Sequence, residues 1–331
     1  MPNNLIERVH TVGFLTDLAL RFPTPQLLAD RLAPRVRVRK QSDKYRKFGK
    51  DAFYNVGDNS WAPGSIPNAI RTELSEDQYF AIPRKLRHAL LQSELNNQDD
   101  DLDLRTTYTE RVTLAMRIAR EARVATLFTT SGNYAGSHVI TKAGGAEWDA
   151  VGVINTVQPI TDIESMIQTV TQDAFVTRDM LTVVIPEPTF NKAIRHNSAI
   201  RDYYKYTIGG VNTPELLAAA LGVKEVLLAR TATAGSGPQN ANNDIITGIT
   251  TTYLWGETVW VGVTPNEATG GEYSFARSFN WTEETDGEEL RVTEYDMADQ
   301  GQEGYWIEAK EAVDEKIVAN FAGGIILNTT V

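Results

Sequence analysis

The pattern of apolar and polar positions predicts one long helix in the first half of the chain. Over residues 104–127, apolar side chains recur at steps of three and four, which is the spacing of one helix face. At a rise of ~1.5 Å per residue this helix would span roughly 35 Å, the length of a whole domain. The acidic residues of 99–103 suit its N-terminal end, where negative side chains are favoured. The predicted apolar face consists of Leu104, Tyr108, Val112, Ala115, Ala119 and Ala122, opposite Arg111, Arg117, Arg120 and Arg123.

Residues 178–265 alternate strand and helix signals, which is typical of a small α/β unit. Thr213 and Pro214 are a good N-cap and first-turn pair, and Gly222 is a good C-terminal stop, so they bound one short helix. The predicted elements are a buried strand at 181–185, helices near 189–197 and at 216–221, and strands at 226–229 and within 253–265.

The N-terminal part is predicted to extend away from any core. Four prolines interrupt residues 1–40, which indicates an extended arm. Residues 41–90 alternate short strand-like pieces around a Pro- and Gly-rich centre at 61–67, and we interpret them as a long hairpin-like excursion. A loop of this length usually contacts another molecule, so Trp61 and Ile66 at its tip are predicted contact residues. Further elements are expected as a helix at 162–175 and strands at 273–281, 290–295, 304–309 and 317–331.

Charge is distributed unevenly along the 331 residues. The formal net charge is −11, yet the first fifty residues hold eleven Lys or Arg against four Asp or Glu. Such asymmetry indicates a basic arm that faces a polyanion or an acidic partner, while a solvated arm that binds nothing is an equal alternative. The candidate contact residues in this arm are Arg35, Arg37, Arg39 and Lys40.

Composition excludes several kinds of site. The chain has no cysteine, which rules out disulfides and thiolate chemistry, and no apolar run is long enough for a membrane span. Residues 1–12 lack a secretory signal pattern, so we expect the protein to act where it is made. The histidines show no metal-binding spacing, and no catalytic motif or cofactor site is predicted. The four histidines are His10, His88, His138 and His196.

A glycine-containing loop at residues 234–240 is the best candidate for a phosphate-binding loop. Pro238 removes one backbone N–H, and neither a Lys-Ser/Thr pair nor a helix follows Gly235, Ser236 and Gly237. We therefore interpret this segment as a surface loop. The acidic stretch at 283–289 lacks the spacing of a calcium loop and is expected to form a charged turn between strands.

Several segments, in order and spacing, resemble the tailed-phage major capsid proteins related to the phage lambda head protein. The first contains Leu181-Thr182-Val183-Val184-Ile185-Pro186-Glu187-Pro188. The resemblance continues through residues 194–207, 213–230, 254–256 and 274–281.

This resemblance implies an α+β fold of the Hong Kong 97 phage-like capsid type, with an N-terminal arm, an E-loop, a P-domain with a long spine helix, and an A-domain. The implied boundaries are 1–40 for the arm, 41–92 for the E-loop, 93–177 with 270–331 for the P-domain (spine helix about 104–127), and 178–269 for the A-domain. Gly235, Ser236 and Gly237 would then lie near the symmetry axis of a hexamer or pentamer.

The same resemblance implies a structural protein that assembles with copies of itself into a shell around double-stranded DNA, without sequence-specific DNA contacts. Expected partners are a scaffolding protein, a portal protein and a decoration protein, and the expected location is the virion capsid, assembled in the host cytoplasm without a membrane. Three alternatives remain: an encapsulin-type nanocompartment with the same fold, a cytoplasmic α/β enzyme with a ligand site at the Gly235 loop, and a nucleic-acid binder that uses the basic arm.

Overall fold

Two five-stranded sheets and a long helix organise the chain. The structure is a computed structural model that describes residues 26–50, 54, 58–67, 69, 74–98, 103–205, 213–234, 251–265, 273–297 and 303–330. The helices are α1 (Ala29–Leu32), α2 (Gln92–Asn96), α3 (Leu104–Thr129), α4 (Gln158–Ala174), α5 (Glu187–Thr189, continuing as a π-helical turn Phe190–Arg195), α6 (Ser198–Tyr203) and α7 (Pro214–Leu221). The strands are β1 (Arg35–Val38), β2 (Ser42–Phe48), β3 (Leu74–Phe80), β4 (Ile82–Leu91), β5 (Val139–Thr141), β6 (Leu181–Pro186), β7 (Glu225–Ala229), β8 (Ala232–Ala234), β9 (Thr251–Tyr253), β10 (Val259–Val263), β11 (Ala276–Trp281), β12 (Arg291–Asp296), β13 (Gly304–Ile317) and β14 (Gly323–Leu327).

The first sheet is built around strand β13. It pairs antiparallel with β4, β11 and β12, and β1 joins the far side of β11 as a parallel strand. Helix α3 packs on one face of this sheet, because two small apolar clusters join Leu104 to Ile307 and Met116 to Ala309. None of the helices in the described ranges is both long and apolar enough to cross a membrane.

The second sheet, in the order β5-β14-β10-β6-β7, forms the main core with α3 and α4. All residues of β6 and β10 are buried, as expected for central strands covered on both faces. Phe128 of α3 meets three aromatic rings edge-on, at centroid distances of 5.8 Å to Trp255, 4.9 Å to Trp260 and 5.1 Å to Phe275. Helix α3 therefore packs against both sheets, through this core and through the two smaller clusters on β13.

Several local predictions are confirmed. The long helix occupies Leu104–Thr129, and Asp103 caps it by accepting a hydrogen bond from the backbone N–H of Thr106 at 3.2 Å. Helix α7 begins after Thr213, whose hydroxyl accepts from the Leu216 N–H, and it ends at Gly222 with φ +67°. The buried strand expected at 181–185 is β6.

The predicted apolar face of the long helix is wrong in its second half. Ala115 is exposed, and Arg120, which was assigned to the polar face, is 2% exposed. Alanine offers little apolar area, so the larger side chains decide which face turns inward. The residues buried along α3 are Leu104, Val112, Met116, Arg120, Glu121, Val124, Ala125 and Phe128.

The predicted arm also needs correction where the structure describes it. Leu28 and Leu32 are fully buried in the main core, and β1 hydrogen-bonds to β11. Residues 28–38 therefore belong to the folded body, although four prolines in residues 1–40 favoured an extended segment. Residues 1–25 lie outside the described part of the chain.

Close packing at Gly262 of β10 provides a test of the second sheet. A Cβ at this position would meet the ring of Trp260 and would lie 2.9 Å from both Ala322 O and Gly323 Cα. We expect Gly262→Ala to lower the free energy of unfolding by about 3 kcal/mol, because backbone on the neighbouring strand cannot move aside cheaply. Gly136→Ala is the matched control: nothing lies within 4 Å of its Cβ position, so we expect a change within about 0.5 kcal/mol. Urea denaturation of both variants measures the difference, and equal losses would contradict the packing described.

Candidate assembly surfaces

The hairpin loop, residues 42–80, extends from the first sheet. Its strands β2 and β3 pair antiparallel from Ser42↔Phe80 to Phe48↔Leu74. Lys44 Nζ lies 3.0 Å from Glu76 Oε2, and Lys47 pairs with Asp77, so basic β2 is matched by acidic β3. The hydrogen bond from Lys47 holds the pKa of Asp77 below its ordinary value. The positive charge predicted to face a partner is thus partly neutralised within the loop.

The tip of the hairpin loop, residues 58–67, presents apolar side chains to solvent. Trp61 is 57% exposed and Ile66 is 93% exposed. The Trp61 indole N–H donates to Ser65 O at 2.7 Å, and the Ser65 N–H donates to Ala62 O at 3.0 Å. Gly64, with φ +95°, supplies the left-handed residue that this tight turn requires. The two predicted contact residues therefore lie together on a preformed turn.

The basic residues near the chain start fall into two groups. Arg37, Arg39 and Lys40 are exposed, and Lys40 Nζ lies 3.1 Å from Asp43. Arg35 is different, since its side chain is 7% exposed and lies within 4 Å of Asp30, Glu289 and Glu311. The prediction that Arg35 contacts a partner is corrected, because its guanidinium is paired with carboxylates of the same subunit.

A buried arginine, Arg120 of α3, ties the first described residues to the long helix. Its guanidinium donates to Asp30, to Ala33 O at 2.9 Å and to Ser278 Oγ at 3.2 Å. Burial raises the pKa of the Asp30 carboxyl, but Arg120 and Arg35 lower it by more, so the net shift is downward. The carboxylate therefore stays charged beside its arginine partners.

Glu121, next along α3, binds the same segment from its other side. Its side chain is fully buried; Oε2 accepts from the backbone N–H groups of Leu28 at 2.9 Å and Ala29 at 2.7 Å, and Oε1 accepts from the Trp255 indole at 3.4 Å. The first turn of α1 thus has its unpaired N–H groups satisfied by a side chain 92 residues away. Burial raises the pKa of Glu121, although these three donors oppose the shift.

Arg123 connects α3 to strand β13. Its guanidinium lies 2.5 Å from Glu311 Oε1 and 3.1 Å from Glu315 Oε1, and Glu311 is 1% exposed. Burial lowers the pKa of Arg123, but the two carboxylates outweigh it and raise the pKa overall. Sequence reasoning missed this network, because arginines spaced along a helix are ordinarily solvated.

The remaining candidate features are metal-binding groups, the Gly235 loop and the charged turn at 283–289. Among the described residues, no group of three or more His, Asp or Glu side chains is placed to hold a metal ion. Gly235, Ser236 and Gly237 lie outside the described residues. The predicted charged turn is present: a single turn Thr282–Thr285 is followed by Asp286 and Gly287, both with positive φ.

Known proteins resemble this chain in sequence over part of its length and in fold over nearly all of it. No family model matches. The major capsid protein of Pseudomonas phage JBD67 is 25% identical over 134 residues, which are 40% of this chain and 43% of that protein. A phage-related protein from Bordetella bronchiseptica RB50 has a TM-score of 0.68 at 20% identity over 96% of both chains. The capsid structure of the cyanophage P-SCSP1u has a TM-score of 0.62 at 10% identity, covering 93% of this chain and 89% of that one.

These comparisons confirm two predictions. The chain resembles tailed-phage major capsid proteins in sequence and fold, as its ordered segments indicated. The α+β class and the Hong Kong 97 phage-like architecture are also confirmed. The sequence match spans less than half of the phage JBD67 protein.

Proposed function

We propose that this chain, which has the fold of phage capsid proteins, is a major capsid protein. It would self-assemble through hexamers and pentamers into the icosahedral head that encloses the double-stranded DNA genome of a tailed phage. The observation that carries the proposal is the exposed pair Trp61 and Ile66 on a preformed turn at the end of a long hairpin loop. Exposed apolar side chains on an ordered projection gain free energy when a neighbouring subunit covers them.

The proposed function divides the chain into four parts. Residues 1–40 would form the arm, 41–92 the E-loop, 93–177 with 270–331 the P-domain, and 178–269 the A-domain. Strand β1 of the arm and strand β4 of the E-loop both lie in the first sheet. The residues of these two strands are therefore part of the folded body. Among the described residues, the part that extends from this body and is exposed to a neighbour is then the tip of the hairpin loop, residues 58–67.

The proposed partners are other copies of this chain first, then a scaffolding protein, a portal protein and a decoration protein. Packaged DNA would be enclosed without sequence-specific contacts, which suits a net charge of −11, since phosphate contacts are made by cationic groups. The proposed location is the virion capsid, after assembly in the host cytoplasm. The role is structural and involves no catalysis.

Electron microscopy of the expressed protein tests this function. We expect closed shells or capsomers, with a scaffolding protein supplied if the chain alone forms capsomers. A strictly monomeric species at every concentration would contradict the proposal. The contents of particles purified from the native source separate the two shell functions, because a phage head encloses double-stranded DNA and a nanocompartment encloses cargo enzymes.

A further inference from the structure

The first sheet has two open edges at the level of residues 305–310 of β13. Strand β4 pairs with one side of β13 and β12 pairs with the other. Among the described residues, no strand pairs with the outer side of β4 or with the outer side of β12. Both strands run antiparallel to β13, so they run parallel to each other. An open edge presents unpaired backbone N–H and C=O groups, which can pair with a strand of another chain.

Alternate residues of β4 point their backbone groups away from β13. The N–H of Gln92, just after the strand, donates to Glu303 O at 3.0 Å. Because bonding alternates along an antiparallel pair, the even-numbered residues of β4 face β13 and the odd-numbered residues face outward. Lys85 and Arg87, at the centre of the strand, are exposed. No hydrogen bond to their outward N–H and C=O groups occurs within the described ranges.

Both ends of this outer edge are occupied by groups of the same subunit. At one end, the N–H of Ala81 donates to Gln41 O at 2.8 Å. At the other end, the ring nitrogen Nδ1 of His88 lies 2.7 Å from Ala89 O. The unpaired part of the edge is therefore a short window at the centre of β4, long enough for a strand of about five residues.

Strand β12 has a similar open edge on the opposite side of the sheet. The N–H of Met297, just after the strand, donates to Gly304 O at 3.0 Å, so the odd-numbered residues of β12 face β13 and the even-numbered residues face outward. Val292 and Glu294 are exposed, and in the part of the chain that the structure describes their outward backbone groups accept and donate no hydrogen bond.

The two edges carry opposite charge. Residues 81–91 contain three Lys or Arg and no Asp or Glu, whereas residues 283–296 contain seven Asp or Glu and one Arg. Like charges directly opposite each other destabilise paired strands, so β4 of one copy does not suit β4 of another. Some of these charges are already paired within the subunit, as Lys85 is with Glu308 at 2.8 Å, so they select the partner more than they add affinity.

We propose that β4 of one subunit pairs with β12 of the next as parallel strands, so that the first sheets of neighbouring copies form one continuous sheet. Such a head-to-tail contact uses two different surfaces of each subunit and generates a ring when the rotation closes. The inference rests on the proposed function only in placing this contact within a ring of capsid subunits.

The faces of the two strands match in this arrangement. Arg87 of β4 and Thr293 of β12 both lie opposite Glu308 of β13, so their side chains are on the same face of the sheet. In a parallel pair, a residue that bonds to the neighbouring strand lies opposite one whose backbone bonds away from it. Arg87 faces outward and Thr293 faces β13, so the two can be opposite each other without either sheet being turned over.

Exposed apolar residues set the register. Leu86 and Val292 both lie opposite Ala309 of β13, on the other face of the sheet, and they are 43% and 39% exposed. Placing Leu86 opposite Val292 of the neighbouring copy covers both side chains, and it places Arg87 opposite Thr293. Cross-strand apolar pairs of this kind stabilise a sheet.

The charged residues are compatible with this register. His88 lies opposite Glu294 of the neighbouring copy, which is a favourable pair when the ring is charged. Lys85 lies opposite Arg291, but each of them has a carboxylate of its own subunit close by, and for Arg291 this is Asp286 at 2.6 Å. The register therefore brings no uncompensated pair of like charges together.

A proline substitution tests the backbone contact. Arg87→Pro removes the outward N–H and leaves the hydrogen bonds between β4 and β13 in place, because residue 87 faces away from β13. Arg87→Ala is the matched control, since it removes the same guanidinium from the ring of Trp306 but keeps the N–H. We expect the concentration needed for association, measured by light scattering, to be about tenfold higher in Arg87→Pro than in Arg87→Ala. Equal thresholds in two variants that unfold at the same urea concentration would contradict the proposal.

Cysteine cross-linking tests the register without changing the backbone. The chain has no native cysteine, so Arg87→Cys combined with Thr293→Cys supplies the two thiols. Neighbouring strands lie about 4.8 Å apart, which is within disulfide range, whereas β13 separates the two positions within one subunit. After mild oxidation we expect a ladder of covalent oligomers on a denaturing gel that ends at the size of one ring. Leu86→Cys with Thr293→Cys is the matched control and should give no ladder, because these side chains lie on opposite faces.

Electron microscopy of the same samples separates this inference from the proposed function. Shells or capsomers without a ladder would overturn the contact between β4 and β12 and leave the capsid role standing. A ladder without shells or capsomers would support the contact and contradict the capsid role. Covalent dimers formed by Arg87→Cys alone would show that β4 meets β4, which overturns the proposed pairing. Monomers with neither a ladder nor larger particles would overturn both.

Discussion

Glu121→Ala is expected to lower the free energy of unfolding by about 3–5 kcal/mol. The substitution leaves the N–H groups of Leu28 and Ala29 and the indole of Trp255 without their buried acceptor. An unsatisfied buried donor costs about 1–3 kcal/mol, so three of them together account for the expected loss. Urea denaturation at fixed pH measures the change.

The control for this prediction is Glu110→Ala, the same replacement on the exposed side of the same helix. We expect a change within about 0.5 kcal/mol there. A second measurement follows the segment that Glu121 holds: trypsin should cut after Arg31 faster in Glu121→Ala than in Glu110→Ala. If both variants are equally stable and equally resistant to trypsin, Glu121 does not anchor the N-terminal segment.

The parts of the fold that were predictable are those whose signals are local. Thr213 and Gly222 bound α7 because a hydroxyl cap and a glycine with positive φ act within one turn. Helix α3 was predicted at 104–127 because its periodicity extends over seven turns. The strand at 181–185 is predictable because the run is short, rich in β-branched residues and bounded by a proline.

The parts that were missed depend on partners far away in the chain. Arg120 and Glu121 look like surface residues of a helix until the segment that packs on them is known. That segment lies about ninety residues earlier, as the 93-residue separation of Leu28 and Glu121 illustrates. Arg35 was named among the contact residues of the basic arm for the same reason, since its partner Glu311 lies far away in the chain. Burial of a charged side chain depends on tertiary contacts, so the pattern of neighbouring residues in the sequence does not predict it.

The candidate surfaces also include features with a local sequence signal and features that depend on distant residues. Trp61 and Ile66 were predicted as contacts because a long loop with a Pro- and Gly-rich centre contains them, and the structure places both on an exposed tip. The contact residues themselves stay predictions until a neighbouring subunit is seen on them. The open edges of β4 and β12 were not predicted, because they depend on which strands pair with β13 and not on the local sequence pattern.

Replacing both Trp61 and Ile66 with serine is expected to raise the concentration needed for assembly at least tenfold. Burying a large apolar side chain gains about 1.5–3 kcal/mol, and every 1.4 kcal/mol is a factor of ten in affinity. In the proposed shell each subunit would make this contact, so the loss would recur at every copy. Light scattering against protein concentration measures the assembly threshold.

The conservative variants Trp61→Phe and Ile66→Val separate two explanations for such a loss. Phenylalanine keeps an apolar ring but cannot donate the hydrogen bond to Ser65 O. If burial on a neighbour is what matters, the conservative pair should assemble near the unchanged threshold, and the serine pair should not. All of these variants should unfold at the same urea concentration, because both side chains are exposed in the isolated subunit. A serine pair that assembles at the unchanged threshold would show that the tip of the hairpin loop makes no contact of consequence in the shell.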